Sequence, residues 1–473
     1  MEPPTRSCSI ASSASNIACV ALTLALAGVH CGAARIVPTL AANLASPSLV
    51  AQSVPLPLAD LRFAGQPAAF RREVVLVQFH GEPSVAVLRV PAGAEAASAE
   101  ALRRRADVDF AVLDTTETRQ FSPNDPLFTA QWHHALIGSP QAWNYSLGAA
   151  SVRIAIVDTP FQMDHPDLAT NTVAGWDVDS SQPVASSQGI AHSTLCAGMA
   201  AAVINNGLGV AGAANCQVLP ININGAISDM YNAVIWAAGH GVRVVNISWS
   251  GATNAVLEAA GAYLKTNAGG VLIMSATDGT GLQAGPNQPD VVCVSMTDSS
   301  DNFQGTLHGA YIDFAAPGYD IYSTTIHGGY DFASGCSFSA PLVAGIVGWM
   351  LSVNPTLQPA DVFSILQNTA VDLGQPGWDP YFGWGRVDFG AAAAATVATL
   401  PNILSVTATN GQVSVSANYR SGLVYQLWRT LSLGAPAWTQ VSATLSTNGA
   451  VVSLTDSSPP RASAFYRVRA VAP

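Results

Sequence analysis

The spacing of apolar residues divides the chain into unlike parts. Between 151 and about 395, short apolar runs alternate with Ala-rich stretches of helical period: Val152–Val157, Val218–Ile223, Val242–Ile247, Val271–Met274 and Val291–Val294. Near-continuous apolar strands separated by helices predict an α/β fold, a mostly parallel sheet with helices on both faces. Upstream, Val74–Phe79, Val85–Val90 and Val108–Leu113 read as strands and Ala96–Arg105 as a helix, a small α+β unit. Downstream, Val413–Ser416, Tyr425–Trp428 and Tyr466–Arg469 alternate with period two between Gly, Asn, Ser and Pro. That pattern predicts an all-β module, a small sandwich. Residues 34–70, rich in Ala, Pro and Ser, read as a linker. The expected division is thus 34–70 linker, 71–119 α+β unit, 120–398 α/β domain and 401–473 β module.

Composition sharpens this picture. With 473 residues, 49% of them hydrophobic and 10% charged, the chain is too apolar for disorder and too long for one core. A net charge of -11 excludes a nucleic-acid binder, which needs clustered Lys and Arg. At the N-terminus Arg6 precedes an apolar run from Ile17 to Val29 and the small residues Gly32, Ala33 and Ala34. This reads as a secretory signal peptide over 1–33, too short to span a bilayer; the expected location is extracellular or at the cell surface, with no transmembrane segment. Cys8, Cys19 and Cys31 leave with it. Cys196, Cys216, Cys293 and Cys336 stand singly in apolar surroundings without metal-ligand spacing, so buried free thiols are expected, although sequence alone does not exclude a disulfide.

Three short stretches carry chemistry. Asp158 ends the apolar run Ile154–Val157, His192 heads a helix of small residues, and Ser337 opens the apolar helix Leu342–Val353, with Pro341 expected in its first turn. Each alone has an ordinary structural reading: a turn, a core histidine, an N-cap. Together they supply acid, base and nucleophile in the order Asp, His, Ser that subtilisin uses. An α/β-hydrolase needs its His after the Ser, and no His follows Ser337.

At this point the chain resembles the subtilisin-like serine proteases. The resemblance rests on Asp158-Thr159 through Asp164-His165-Pro166-Asp167-Leu168, on His192 with Thr194 and Ala197-Gly198, and on Gly335–Pro341. It also rests on Asn246–Gly251, Ala315–Gly318 and Gly383–Val387. It covers about 121–395 and implies a serine endopeptidase with Asp158, His192 and Ser337 as triad. Ser248, Trp249, Ser250, Gly251, Ser275, Ala276 and Thr277 would line the substrate groove. Residues 71–119 would be the family's inhibitory propeptide. Partners would be polypeptide substrates and that propeptide, with the mature enzyme a monomer. No cofactor is expected for the chemistry. Asp125, Asp167 and Asn206 match positions that hold calcium in relatives, though Asn and Asp there are equally ordinary turn formers. Four departures stand out: Pro160 and Ser193 where the family has Gly, Cys336 where it has Thr, and Asp278 where it has the oxyanion Asn. An ionised carboxylate only accepts hydrogen bonds. Asp278 therefore opens a rival reading, an inactive or weak protease-like protein that keeps the fold as a peptide-binding module.

Overall fold

The computed structural model describes residues 58–471, apart from 64–65, 83, 92, 116–120, 185–188, 410, 420–422, 432–436 and 461–463. The expected signal peptide lies outside the described residues, as does 34–57 of the expected linker. Two compact units are present, one within Leu24–Gln120 and one from Phe121 to Pro473.

The first unit is a four-stranded antiparallel sheet: β1 (Leu58–Phe63), β2 (Gln66–Phe79), β3 (Ala86–Arg89) and β4 (Val108–Thr115), with helix α1 (Glu95–Arg103) between β3 and β4. Val75, Val77, Ala99, Leu102, Val108 and Ala111 form its core. The linker reading needs correction here, because β1 and the start of β2 fall inside it. Phe63 and Gln66 are paired across a two-residue connection, and the strand pattern Leu58-Ala59-Asp60-Leu61-Arg62-Phe63 was obscured by the Ala- and Pro-rich composition around it.

The second unit begins with the short helices α2 (Trp132–Leu136) and α3 (Ser139–Trp143), then β5 (Arg153–Asp158), β6 (Gly175–Asp177), β7 (Gln182–Val184) and α4 (Ala191–Ala201). Next come β8 (Gln217–Asn222), α5 (Ile227–Gly239), β9 (Val244–Ile247), α6 (Ala255–Ala268), β10 (Val271–Ser275), β11 (Val291–Thr297) and β12 (Phe314–Pro317). The eight strands are ordered β12-β11-β10-β9-β5-β8-β6-β7 and are parallel except for β7 at the edge. A hairpin of β13 (Ile321–Thr325) and β14 (Gly329–Ala333) precedes α7 (Cys336–Val353), α8 (Pro359–Thr369) and α9 (Phe389–Ala398). Strand side chains alternate between two cores. Ile154 and Ile156 meet α4 and α7 on one face, while Ala155 and Val157 meet α5 and α6 on the other. This two-faced burial is why the strands read as unbroken apolar runs. Helix α7 is long and apolar enough to cross a membrane, but nearly all of it is buried as the core helix.

The rest of the chain forms two small sheets. One is β15 (Ile403–Thr409), β16 (Gln412–Asn418), β20 (Val451–Asp456) and β19 (Thr444–Asn448); the other is β18 (Thr439–Val441), β17 (Val424–Thr430) and β21 (Phe465–Val471). They enclose one core, built on Val415, Ala417, Leu427, Val452 and Leu454.

Candidate active site

In a parallel sheet all carboxyl ends lie on one side. β5, β9 and β10 are neighbours, so Asp158, the segment Ser248–Gly251 and the segment Ala276–Asp278 emerge together. Helices α4 and α7, packed on each other, bring His192 and Ser337 to the same edge. Asp158 is buried. Its Oδ1 accepts from the Thr159 N–H (2.7 Å) and hydroxyl (3.1 Å) and pairs with His192 Nδ1 (3.2 Å); Nδ1 also lies 3.0 Å from Oδ2, which is buried without a hydrogen-bond partner. Burial pulls the His192 pKa down. The hydrogen bond to Asp158, the Asp158 charge and the charge of Asp278 more than offset this, and the net shift is upward. The Phe338 ring, 5.6 Å away centre to centre, flanks the imidazole.

Helix α7 begins at Cys336, earlier than the sequence suggested, so Pro341 sits beyond the first turn. The reason for tolerance is local. Proline has no N–H for the carbonyl four residues back, and that carbonyl belongs to Ser337. It is satisfied instead by the Ser248 hydroxyl at 2.7 Å and the Cys196 thiol at 3.3 Å. Proline thus ties the first turn of α7 to the strand beside the groove. Ser337 Oγ lies 3.4 Å from the Ser248 carbonyl. Among the described residues no hydrogen bond joins it to His192, a looseness usual in unliganded sites. Gly198 is needed where α4 crosses β13: a Cβ there would come within 2.2 Å of Thr324 Oγ1.

The four departures form two contacting pairs. Ser193 Oγ donates to the Pro160 carbonyl at 2.8 Å, fixing the start of α4 to the loop after Asp158. Asp278 Oδ1 accepts from the Cys336 N–H at 2.9 Å, and the Cys336 thiol lies 3.0 Å from that oxygen and 2.6 Å from the Ala276 carbonyl, either of which can accept its one hydrogen. Asp278 is exposed, and Cys336 uses it as an acceptor. Sequence reasoning missed this pair because 58 residues separate its members. It also missed Cys196 beside Asp158 and His192. The signal there was available: Cys196 follows His192 by four residues, one helical turn, and its sulfur lies within 4.8 Å of ligand atoms of Asp158 and His192. All four remaining cysteines are buried free thiols.

Of the other groove positions, Ser248, Ser275 and Ala276 are buried, Trp249, Gly251 and Thr277 half-buried, and Ser250 exposed. Away from Asp158, His192 and Ser337, the residues Asp125, Asp167 and Asn206 come together. Asp125 accepts the Asn205 and Asn206 N–H groups (2.7 and 3.0 Å). Asp167 accepts Asn206 Nδ2 and the Val210 N–H (2.7 and 2.9 Å). Burial raises the Asp125 pKa. Burial also raises that of Asp167, to about 6, against the hydrogen bonds from Val210 and Asn206 and with help from the Asp125 charge. Two buried carboxylates and an amide suit a hard cation. Rotating the Asn206 amide would present its oxygen, at the expense of its contact with the Leu208 N–H (2.7 Å).

A parallel α/β sheet with Asp, His and Ser at one carboxyl edge is the architecture of a serine hydrolase. Comparison with known proteins makes the assignment specific. Residues 149–385 match the subtilase family. Thermitase of Thermoactinomyces vulgaris is 36% identical over 57% of this chain and 98% of its own length. The halolysin-like extracellular serine protease Nep of Natrialba magadii is 31% identical over 60% of this chain and 54% of its own. Among solved structures, a protease of Pseudoalteromonas arctica superposes with a TM-score of 0.52 at 28% identity, covering 58% of this chain and all of that one. The chain belongs to the subtilase family and is a serine endopeptidase, one that needs no cofactor for catalysis.

Proposed function

We propose that this protein is a secreted endopeptidase, made as a precursor, that cleaves peptide bonds by acyl transfer through Asp158, His192 and Ser337. Ser337 Oγ attacks the carbonyl, and His192 takes its proton and returns it to the leaving amine. Asp158 holds the imidazole with its Nδ1 toward the carboxylate. The Ser337 N–H at the start of α7 faces the oxyanion together with the Asp278 side chain. Ser248–Gly251 and Ser275–Thr277 flank an extended substrate, which would lie between them as an added strand. The observation that carries this reading is the buried Asp158 carboxylate on His192 at the edge where Ser337 emerges. The extracellular Nep among the relatives and the charge-apolar-small pattern of residues 1–33 support secretion. The compact unit before Phe121 supports a propeptide over 71–119 that inhibits until removed. The mature enzyme is read as a monomer. Calcium held by Asp125, Asp167 and Asn206 would neutralise a buried acid pair and brace the loop.

Ser337→Ala removes one hydroxyl from a half-buried position, so it should fold, lose proteolysis and retain the N-terminal unit when expressed alone. Maturation of that variant without added protease would overturn self-processing. The rival reading, a peptide-binding protein of little activity, is favoured by one observation: the Asp278 carboxylate accepts from the Cys336 N–H where the family has an amide.

A further inference from the structure

The C-terminal module is unlike the rest of the chain in charge. Residues 401–473 hold five arginines against one acid, Asp456, a net of +4 within a chain of -11. Arg429 is neutralised by Asp456 at 2.7 Å. Arg467 and Arg469 are not paired with any acid among the described residues. Both lie on β21, two residues apart and therefore on one face, about 6.6 Å from each other along the strand. The register shows which face. Tyr466 and Val468 belong to the module's core, while Arg467 stands opposite Trp428 and Arg469 opposite Gln426 on the outer side.

These guanidinium groups are held in place. Arg467 lies 4.4 Å from the Trp438 ring centre and 5.4 Å from that of Trp428, and Arg469 lies 5.5 Å from Trp428. Stacking fixes a guanidinium's plane and leaves its N–H edges to bind carboxylates. Arg467 Nε is buried without a partner. Holding two like charges this close without a counter-ion is a cost to the folded chain, and an anionic ligand would remove it.

The same strand borders a cleft of ≈ 500 Å³ between the module and the α/β domain. Arg153 and Arg243 stand on its other wall, and no acidic residue lines it among the described residues. Arg243 already donates to the Gly269, Pro355 and Leu357 carbonyls, so it contributes charge, whereas Arg153 is exposed. Strand β21 is the edge of its sheet, paired only with β17 among the described residues. An edge strand offers unpaired backbone groups to a further strand. We infer that this cleft binds an extended, acidic polypeptide segment, pairing its backbone with β21 and its carboxylates with Arg467, Arg469 and Arg153. A small oxyanion would leave the strand edge unused.

Binding can be read without catalysis. A fluorescent peptide with glutamate at alternate positions is titrated, by anisotropy at low salt, into the full chain carrying Ser337→Ala. Saturable binding is expected, falling about ten-fold or more in Arg467→Gln/Arg469→Gln, a loss of at least 1.4 kcal/mol. Binding should also weaken in Arg153→Gln, in about 0.5 M salt where exposed charges are screened, and on N-methylation of alternate peptide nitrogens. Arg469→Gln alone, at an exposed site, serves if the double variant does not fold. Equal affinity in the parent and the arginine variants would overturn the inference. So would indifference to N-methylation, equal binding of a lysine peptide, or binding of citrate or a sulfated glycan without the peptide.

Discussion

Asp278 sets two charges against each other. In the proposed mechanism it faces the place where negative charge develops on the substrate, and it helps to raise the His192 pKa. Losing one side-chain oxyanion donor costs about 10²–10³ in turnover, and an acceptor in its place adds repulsion. Asp278→Asn should therefore raise kcat at neutral pH. The sign for His192 follows separately. Without the Asp278 charge its pKa falls, and since the neutral form is the base, the acid limb of kcat/KM should move to lower pH. The pH–rate profiles of both forms on one peptide substrate check the two effects together. An unchanged limb with equal or lower neutral kcat would mean that Asp278 does not face the oxyanion. Because the Cys336 N–H donates to this carboxylate and its thiol lies 3.0 Å away, Cys336→Thr should alter the profile in the parent and much less when combined with Asp278→Asn. The three residues proposed as the triad stood out in the sequence because each ends or begins an element. The Cys336–Asp278 and Ser193–Pro160 contacts did not, since they depend on which element ends meet.

The elements around the site were read from period and burial: four of the five parallel strands lie within two residues of where their apolar runs place them, and β11 runs three residues further, to Thr297. What escaped was decided by tertiary partners. The start of β2 exists because β1 pairs with it, and α7 starts early because Ser248 and Cys196 serve the carbonyl that Pro341 leaves open. The loop of Asp125, Asp167 and Asn206 provides the prediction at this scale. Asp167 has a folded pKa of about 6, above the roughly 3.9 of an unfolded aspartate. The folded form holds its proton more tightly, so the associated stability is present below about pH 4 and lost as pH rises through 6. Asp167→Asn, whose amide oxygen can still accept from Val210, should flatten the fall in Tm between pH 4 and 7. If calcium neutralises the acid pair, chelation should lower Tm at pH 7 in the parent and leave the Asn variant unmoved. An identical parent Tm with and without chelator, after exhaustive metal removal, would contradict the calcium site.

On the scale of the whole molecule, the proposed triad and the two large cores lie in residues 121–398, while the C-terminal module has its own core and adds no residue to the proposed site. Truncation after Leu400 should leave cleavage of short uncharged peptides within about two-fold, by the usual additivity of distant changes. A stable truncated protein without activity would show that the module supports the site. The charge contrast between module and catalytic domain was visible in the sequence, but not the alignment of Arg467 and Arg469 along a strand edge, which needs the register of β17 and β21.

Catalysis of this kind requires Ser337 to be a nucleophile activated by His192. A fluorophosphonate reacts with such a serine and reports the modified residue by mass spectrometry, independent of any substrate preference or of the oxyanion penalty at Asp278 on peptides. The mature protein should be labelled at Ser337 alone, with a rate that rises with pH as His192 loses its proton, and His192→Ala should abolish the labelling while preserving the fold. An intact, folded protein that stays unlabelled at Ser337 across about pH 5 to 9, a range chosen to bracket the roughly 6.5 of an ordinary histidine, would contradict it.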